Sequence, residues 1–257
     1  MSKPIITVVA GIPGVGKTNF IRKQIPLANP AVYFSPGTGN VPIDQTRLAT
    51  DFPNLKIITD AQESQLIEYL ANGAVAFVEL GFYLELDAMS SLLDTIPSSR
   101  IAIIPPGTKN SEWHQWANQT VEGFAIDSNI NNCQIWRSPT QGQVIDPASL
   151  DVFWYEELTP GAYGKIIRAK AIFDIADGRA FYFDFVLGKE TEYQELNLPR
   201  WLKGRPERFS GIEVFGDNLN QKALAESLQD CCLPDAAILS YQQQVKETLG
   251  ITEEELV

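Results

Sequence analysis

The segment Gly11-Ile-Pro-Gly-Val-Gly-Lys-Thr18 follows directly on the apolar run Ile5-Ile-Thr-Val-Val-Ala10. Its residue types and spacing suit the cradling of phosphate. Glycines let a backbone curl until successive N–H groups point inward at phosphate oxygens, and a helix starting just beyond adds its positive end. Gly11, Gly14, Val15, Gly16, Lys17 and Thr18 are therefore the candidate ligand-binding residues of a P-loop. Lys17 has the length and charge to reach the β- and γ-phosphates, which also makes it a candidate catalytic group. The Thr18 hydroxyl suits Mg²⁺, a hard cation that takes one protein oxygen while keeping most of its waters.

Such a loop works only between a strand and a helix, and the flanking sequence supplies both. The β-branched run before it reads as a buried parallel strand, and 17–25 reads as a short helix stopped by Pro26. The pattern continues with a strand at 31–34, a Gly- and Pro-rich loop at 35–40 and a strand at 55–59. Residues 61–72 read as a helix with Leu66, Ile67 and Leu70 on one side and Gly73 past its end. A third short apolar run, 74–78, ends on Glu79. A carboxylate at the C-terminal edge of such a strand sits where open α/β sheets bind ligands. Glu79 is thus expected to hold Mg²⁺ through water or to position an attacking water, and Gly81 to bring a backbone N–H close to a terminal phosphate. After a strand at 100–104, Ser111 is expected to cap a helix carrying Trp113, His114 and Trp116. His114 is the only histidine of the chain and has no second histidine to pair with, so a structural role is expected of it.

The chain has 257 residues, 44% of them hydrophobic, enough for one large or two modest cores. The expected division is a nucleotide-binding α/β domain over 1–150, a small α+β domain over 161–240 and a tail over 241–257. A net charge of −12 argues against sequence-independent nucleic-acid binding, which needs a surplus of Lys and Arg. No apolar stretch approaches the roughly 20 residues that span a bilayer, and the N-terminus leads into a strand, so a cytoplasmic protein is expected. Cys133, Cys231 and Cys232 have no C-x-x-C spacing and are expected to be reduced thiols.

In the second half, 165–173 alternates, Asp177-Gly178 marks a hairpin turn, and 179–187 alternates again with Phe181, Phe183 and Phe185 on one face. A polar stretch at 188–206 precedes a strand at 209–215 and a helix capped at Asn218 or Asn220, striped by Leu224, Ser227, Leu228 and Cys231. The phenylalanine row reads as core. Cys231 and Cys232 lie about 100° apart on a helix and read as small buried hydrophobes, not a metal pair. Lys165, Arg168, Lys170, Arg179, Arg200, Lys203, Arg205 and Arg208 concentrate positive charge here, either as a solvated face or as a docking surface for an acidic partner protein. The closing Thr252-Glu-Glu-Glu-Leu256 reads as a solvated helix end.

The P-loop, the Val-Glu-Leu-Gly81 segment and the block from Phe209 to Cys231 together resemble the CobW-type P-loop GTPases and their C-terminal domain, and 161–170 looks like the first strand of that domain. The resemblance implies a G domain followed by a small α+β domain, with Mg²⁺ and GTP as ligands. It gives Lys17 and Thr18 the phosphate and Mg²⁺ roles, and Glu79 with Gly81 the γ-phosphate-sensing position. Family members are linked to cobalamin synthesis, zinc homeostasis and metal insertion. This chain departs from the pattern in three places. It has no Cys-x-Cys-Cys around 55–60, Pro36-Gly37-Thr38-Gly39 stands where the family has Asn-Glu-Phe-Gly, and Pro105-Pro106-Gly107-Thr108 stands where a guanine-reading Asn-Lys-x-Asp is expected. The base, GTP or ATP, therefore stays open. So does the activity: a slow Mg²⁺-dependent nucleoside triphosphatase that rearranges 35–44 on hydrolysis, a nucleotide-gated adaptor with little or no turnover, or a phosphotransferase lacking an evident lid or acceptor-activating Asp.

Overall fold

The structure is a computed structural model that describes residues 6–251 apart from 29, 63, 83, 85, 87–95 and 127–131. The acidic segment 252–256 read as a helix end lies outside the described residues. The chain divides into two compact units, Met1–Ser128 and Asn129–Val257.

The first unit is a parallel α/β sheet. Its elements are β1 (Ile6–Ala10), α1 (Lys17–Gln24), a 3₁₀ turn at Ile25–Leu27 and β2 (Ala31–Phe34). They continue with α2 (Ile43–Asp51), β3 (Lys56–Ile58), α3 (Gln65–Ala71), β4 (Val75–Glu79), β5 (Ser98–Ile104), α4 (Glu112–Trp116) and β6 (Gln119–Glu122). The six strands lie in the order β3-β2-β4-β1-β5-β6, and every pair is parallel. Val8 pairs with Val78, Val9 with Glu79 and Tyr33 with Phe77. Because side chains alternate along each strand, the register sorts the faces. Ile6, Val8, Ala10, Val32, Phe34, Ala76 and Val78 pack on one face with Leu66 and Leu70 of α3. Val9, Tyr33, Phe77 and Glu79 belong to the other face, which meets α1 at Thr18. Ile67 is 55% exposed instead of sharing the stripe of Leu66 and Leu70, since one step along a helix turns a side chain about 100° away.

The second unit is antiparallel: β7 (Cys133–Pro139), α5 (Pro147–Asp151) running into a π-helical stretch at Val152–Leu158, β8 (Lys165–Asp174), β9 (Ala180–Val186), β10 (Glu192–Glu195), β11 (Gly211–Asp217), α6 (Gln221–Asp230) and α7 (Asp235–Leu249). Its sheet runs β10-β9-β8-β11-β7. Phe183 and Phe185 are buried with Trp154, Phe173, Leu224, Leu228 and Cys231, and Phe181 packs against that core. The Asn220 side chain accepts from the Ala223 N–H and caps α6. Burial pushes the Cys231 thiol up to about 12, so it stays protonated as a small hydrophobe. The polar stretch 188–206 contains the edge strand β10, and 241–249 belongs to α7. Among the described residues no helix is long and apolar enough to cross a membrane, and no cluster of His, Cys, Asp and Glu could hold a metal ion.

Candidate functional site

The loop between β1 and α1 has the backbone a phosphate cradle requires. Gly11, Gly14 and Gly16 have φ of 152°, 78° and 104°, a region L side chains rarely enter. Gly16 is the N-cap of α1 and no side chain caps it, so the first N–H groups of the helix face outward. Lys17 is buried, and its ammonium donates to the Gly11 carbonyl at 2.9 Å and the Ile12 carbonyl at 3.3 Å. The lysine thus lies folded over its own loop, where it can turn to an incoming phosphate.

Neighbouring strands buttress this loop from beneath. A Cβ on Gly11 would run into the Ile103 carbonyl at the end of β5. Just past β6, the Phe124 N–H donates to the Val15 carbonyl at 3.0 Å, and a Cβ on Gly123 would overlap that same carbonyl. The Phe124 ring, 45% exposed, reaches within 3.1 Å of where a Gly16 Cβ would stand.

Glu79 ends β4 next to β1, so the sheet register carries it to the lip of the loop. It is 5% exposed. The Thr18 hydroxyl donates to Oε1 at 3.1 Å, and the Tyr33 hydroxyl donates to Oε2 at 2.9 Å. Ser35 donates to the Glu79 carbonyl at 3.2 Å, and the Gln45 amide donates to the Ser35 carbonyl at 3.3 Å and to Thr38 Oγ1 at 2.7 Å. The loop at 35–41 is therefore fastened to the same carboxylate-bearing strand end. Burial, the Glu79 carboxylate and Asp44 hold the Tyr33 phenol well above its usual range, so it stays a donor. Gly81 follows two residues on, its carbonyl accepting from the Leu84 N–H at 3.0 Å.

The structure thus brings Gly11, Gly14, Val15, Gly16, Lys17, Thr18 and Glu79 into one place. The contributions of Tyr33, Ser35, Gln45, Gly123 and Phe124 were not legible in the sequence. Tyr33 sits inside an apolar strand run, where a tyrosine and a phenylalanine read alike, and nothing local marks Gly123 as a neighbour of residue 15. His114 has a local role: its Nδ1 accepts from the Ser111 N–H at 3.2 Å, completing a capping box on α4.

Hard oxygen donors converging at Thr18 and Glu79 fit Mg²⁺. A hydroxyl that gives a lone pair to a cation keeps its proton, and Glu79 Oε1 stands ready to accept it. Together the parallel sheet, the glycine loop and this lip define a P-loop α/β fold.

No family model matches the sequence, and no curated protein does either. Among solved structures, the Zn(II)-bound YjiA GTPase from E. coli and a Zn(II)-bound triple mutant of YjiA GTPase are similar, each at 12% identity and a TM-score of 0.33 over 90% of this chain and 99% of that one. Likeness at that level carries no argument about activity.

Proposed function

We propose that this protein binds a nucleoside triphosphate with Mg²⁺ at the loop 11–18 and hydrolyses it slowly, in the manner of a CobW-like GTPase. The observation that supports this reading is the junction of Lys17, Thr18 and Glu79 at the lip of a glycine loop of left-handed geometry. Phosphate oxygens would displace the Gly11 and Ile12 carbonyls as partners of the Lys17 ammonium, since a charged acceptor makes the stronger bond. The backbone N–H groups from Gly14 to Thr18 would take the remaining oxygens, and the Gly81 N–H would approach the terminal phosphate. Bound Mg²⁺ would supply charge neutralisation at the β- and γ-phosphates. Thr18 would hold it directly and Glu79 through water. The resemblance of 209–231 and Val-Glu-Leu-Gly81 to the CobW-type proteins speaks for GTP, and Pro105-Pro106-Gly107-Thr108 in place of the guanine-reading motif speaks against it, so the base is left to the experiment.

One observation favours the alternative, a nucleotide-gated adaptor. Both Glu79 oxygens are already engaged, by Thr18 and Tyr33, so the carboxylate is better placed to hold a cation than to take a proton from water. Fast hydrolysis is not expected. The 35–41 segment, tied to Glu79 by Ser35 and to α2 by Gln45, is the segment that would respond to the terminal phosphate. Single-turnover incubation with GTP and ATP, with Mg²⁺ or with EDTA, separates the readings. Slow Mg²⁺-dependent phosphate release supports the enzyme. Tight Mg²⁺-dependent binding without release turns the case to the adaptor.

A further inference from the structure

A phenol on the middle of a strand enclosed on both faces needs an explanation, because phenylalanine would fill the same space without a polar atom to satisfy. Tyr33 is fully buried, and β2 is flanked on both sides by β3 and β4. Its neighbours in the strand, Ala31, Val32 and Phe34, are all buried and apolar. The hydroxyl is therefore in the wrong medium unless it is used. Its register partner is Phe77, two residues before Glu79 on the same face, so the ring runs along the sheet toward the strand end. There the hydroxyl donates to Glu79 Oε2 at 2.9 Å.

A buried glutamate with three side-chain torsions has many ways to point, and a carboxylate that must serve a cation at one place loses affinity with each of them. Tyr33 fixes Oε2 from behind. Oε1 is left facing the Thr18 hydroxyl, and Ser35 holds the backbone carbonyl of the same residue. The three donors reach Glu79 from different elements: α1, β2 and the segment after β2.

We infer that Tyr33 is a positioning residue for the magnesium-binding carboxylate, its hydroxyl anchoring Glu79 Oε2 so that Oε1 faces Thr18 at the mouth of the glycine loop. This inference rests on the proposed nucleotide and Mg²⁺ reading of the site and adds to it a residue outside the motif. It separates two things that a packing role would leave together. Phosphate binding by the loop backbone and Lys17 does not need Tyr33, whereas the gain in affinity that Mg²⁺ brings does.

The test is equilibrium titration of a fluorescent guanine or adenine nucleotide into the full chain, in EDTA and across a Mg²⁺ series. It compares wild type with Tyr33→Phe, Glu79→Gln and the double variant, with thermal melting of each to establish folding. Tyr33→Phe is expected to leave nucleotide affinity in EDTA within about twofold and to raise the Mg²⁺ concentration for half-maximal tightening about tenfold, the scale of a hydrogen bond to a charged group. In the Glu79→Gln background the same substitution is expected to change the Mg²⁺ response by less than about twofold, since residues acting through one group are not additive. An unchanged Mg²⁺ series in Tyr33→Phe overturns the inference while leaving the site reading intact. An equal loss in EDTA and in Mg²⁺ overturns it as well, by showing a packing role. Absence of any Mg²⁺ response in wild type removes the site reading itself, and the inference with it.

Discussion

Lys17 shows how the glycine loop keeps a buried cation. Its ammonium donates to the Gly11 and Ile12 carbonyls, which are weaker partners than phosphate but already in the loop. Gly123 poses a subtler constraint. It lies far from the motif in sequence, yet a methyl group there would overlap the Val15 carbonyl and push the loop out of shape. Gly123→Ala is therefore expected to weaken nucleotide binding by about 2 kcal/mol, the usual cost of overpacking a tight contact. Isothermal titration against wild type measures it, with thermal melting of the variant to establish that it folds. The residues of the glycine loop were legible from sequence because glycines at fixed spacing beside a lysine have one common use. Glu79 was legible because a carboxylate ending an apolar run has a definite place in a parallel sheet. Tyr33 and Gly123 were not, because their roles depend on which strands become neighbours, and that is decided by the whole sheet.

At the scale of elements, the alternation of apolar runs and helical stripes predicted a parallel sheet in the first half and an antiparallel unit in the second, and both formed. β6, β7 and β10 escaped notice for a shared reason. All three are edge strands: β6 and β10 are polar and largely exposed and β7 is half-buried along most of its length, so the period-two contrast that marks a strand is faint. The second unit also contains a titrating clamp. Arg208 donates to Asp174 at 2.6 Å, to the Pro199 carbonyl at 2.7 Å and to the Gly178 carbonyl at 3.0 Å, pinning the segment after β10 onto the β8–β9 hairpin. Asp174 is almost wholly buried, and its Oδ2 has no hydrogen-bond partner among the described residues. Burial pushes its carboxyl up to about 6 despite Arg208, from an ordinary value of 3.8. Between those values the unfolded chain has lost the proton that the folded chain still holds. The stabilising contribution of Asp174 is thus complete below the lower value and declines as pH rises through the upper one, by about 3 kcal/mol at most. Asp184 runs the other way: burial opposes its charge, but Arg168 outweighs burial and lowers it to about 2, so its contribution is lost as pH falls toward that value. Urea unfolding of wild type and Asp174→Asn from pH 4 to pH 7 is expected to show the variant flatter across the window near pH 4 to 6.

At the scale of the whole molecule, charge decides what the protein meets. The net charge is −12, and the arginines gathered in the second unit are spent internally: Arg168 on Asp184, Arg179 on Asp177 and Glu195, Arg200 on Asp177, Arg205 on Asp235 and Arg208 on Asp174. Such pairing leaves little free positive field for a polyanion. Gel-shift titration with duplex DNA or RNA at about 0.15 M salt is expected to show no complex, because counterion release needs unpaired cations. A small triphosphate differs, since one lysine and a ring of backbone N–H groups suffice to hold it locally. The central claim is that the loop 11–18 does so with Mg²⁺. The measurement that reaches it most directly is calorimetric titration of GTP and of ATP into wild type and Lys17→Ala, each with Mg²⁺ and with EDTA. Binding of at least one nucleotide that tightens with Mg²⁺ and weakens by about 30-fold or more in Lys17→Ala is the expected result, as removal of a charge-assisted contact requires. Absence of binding by both nucleotides, or binding indifferent to Lys17, would contradict the account.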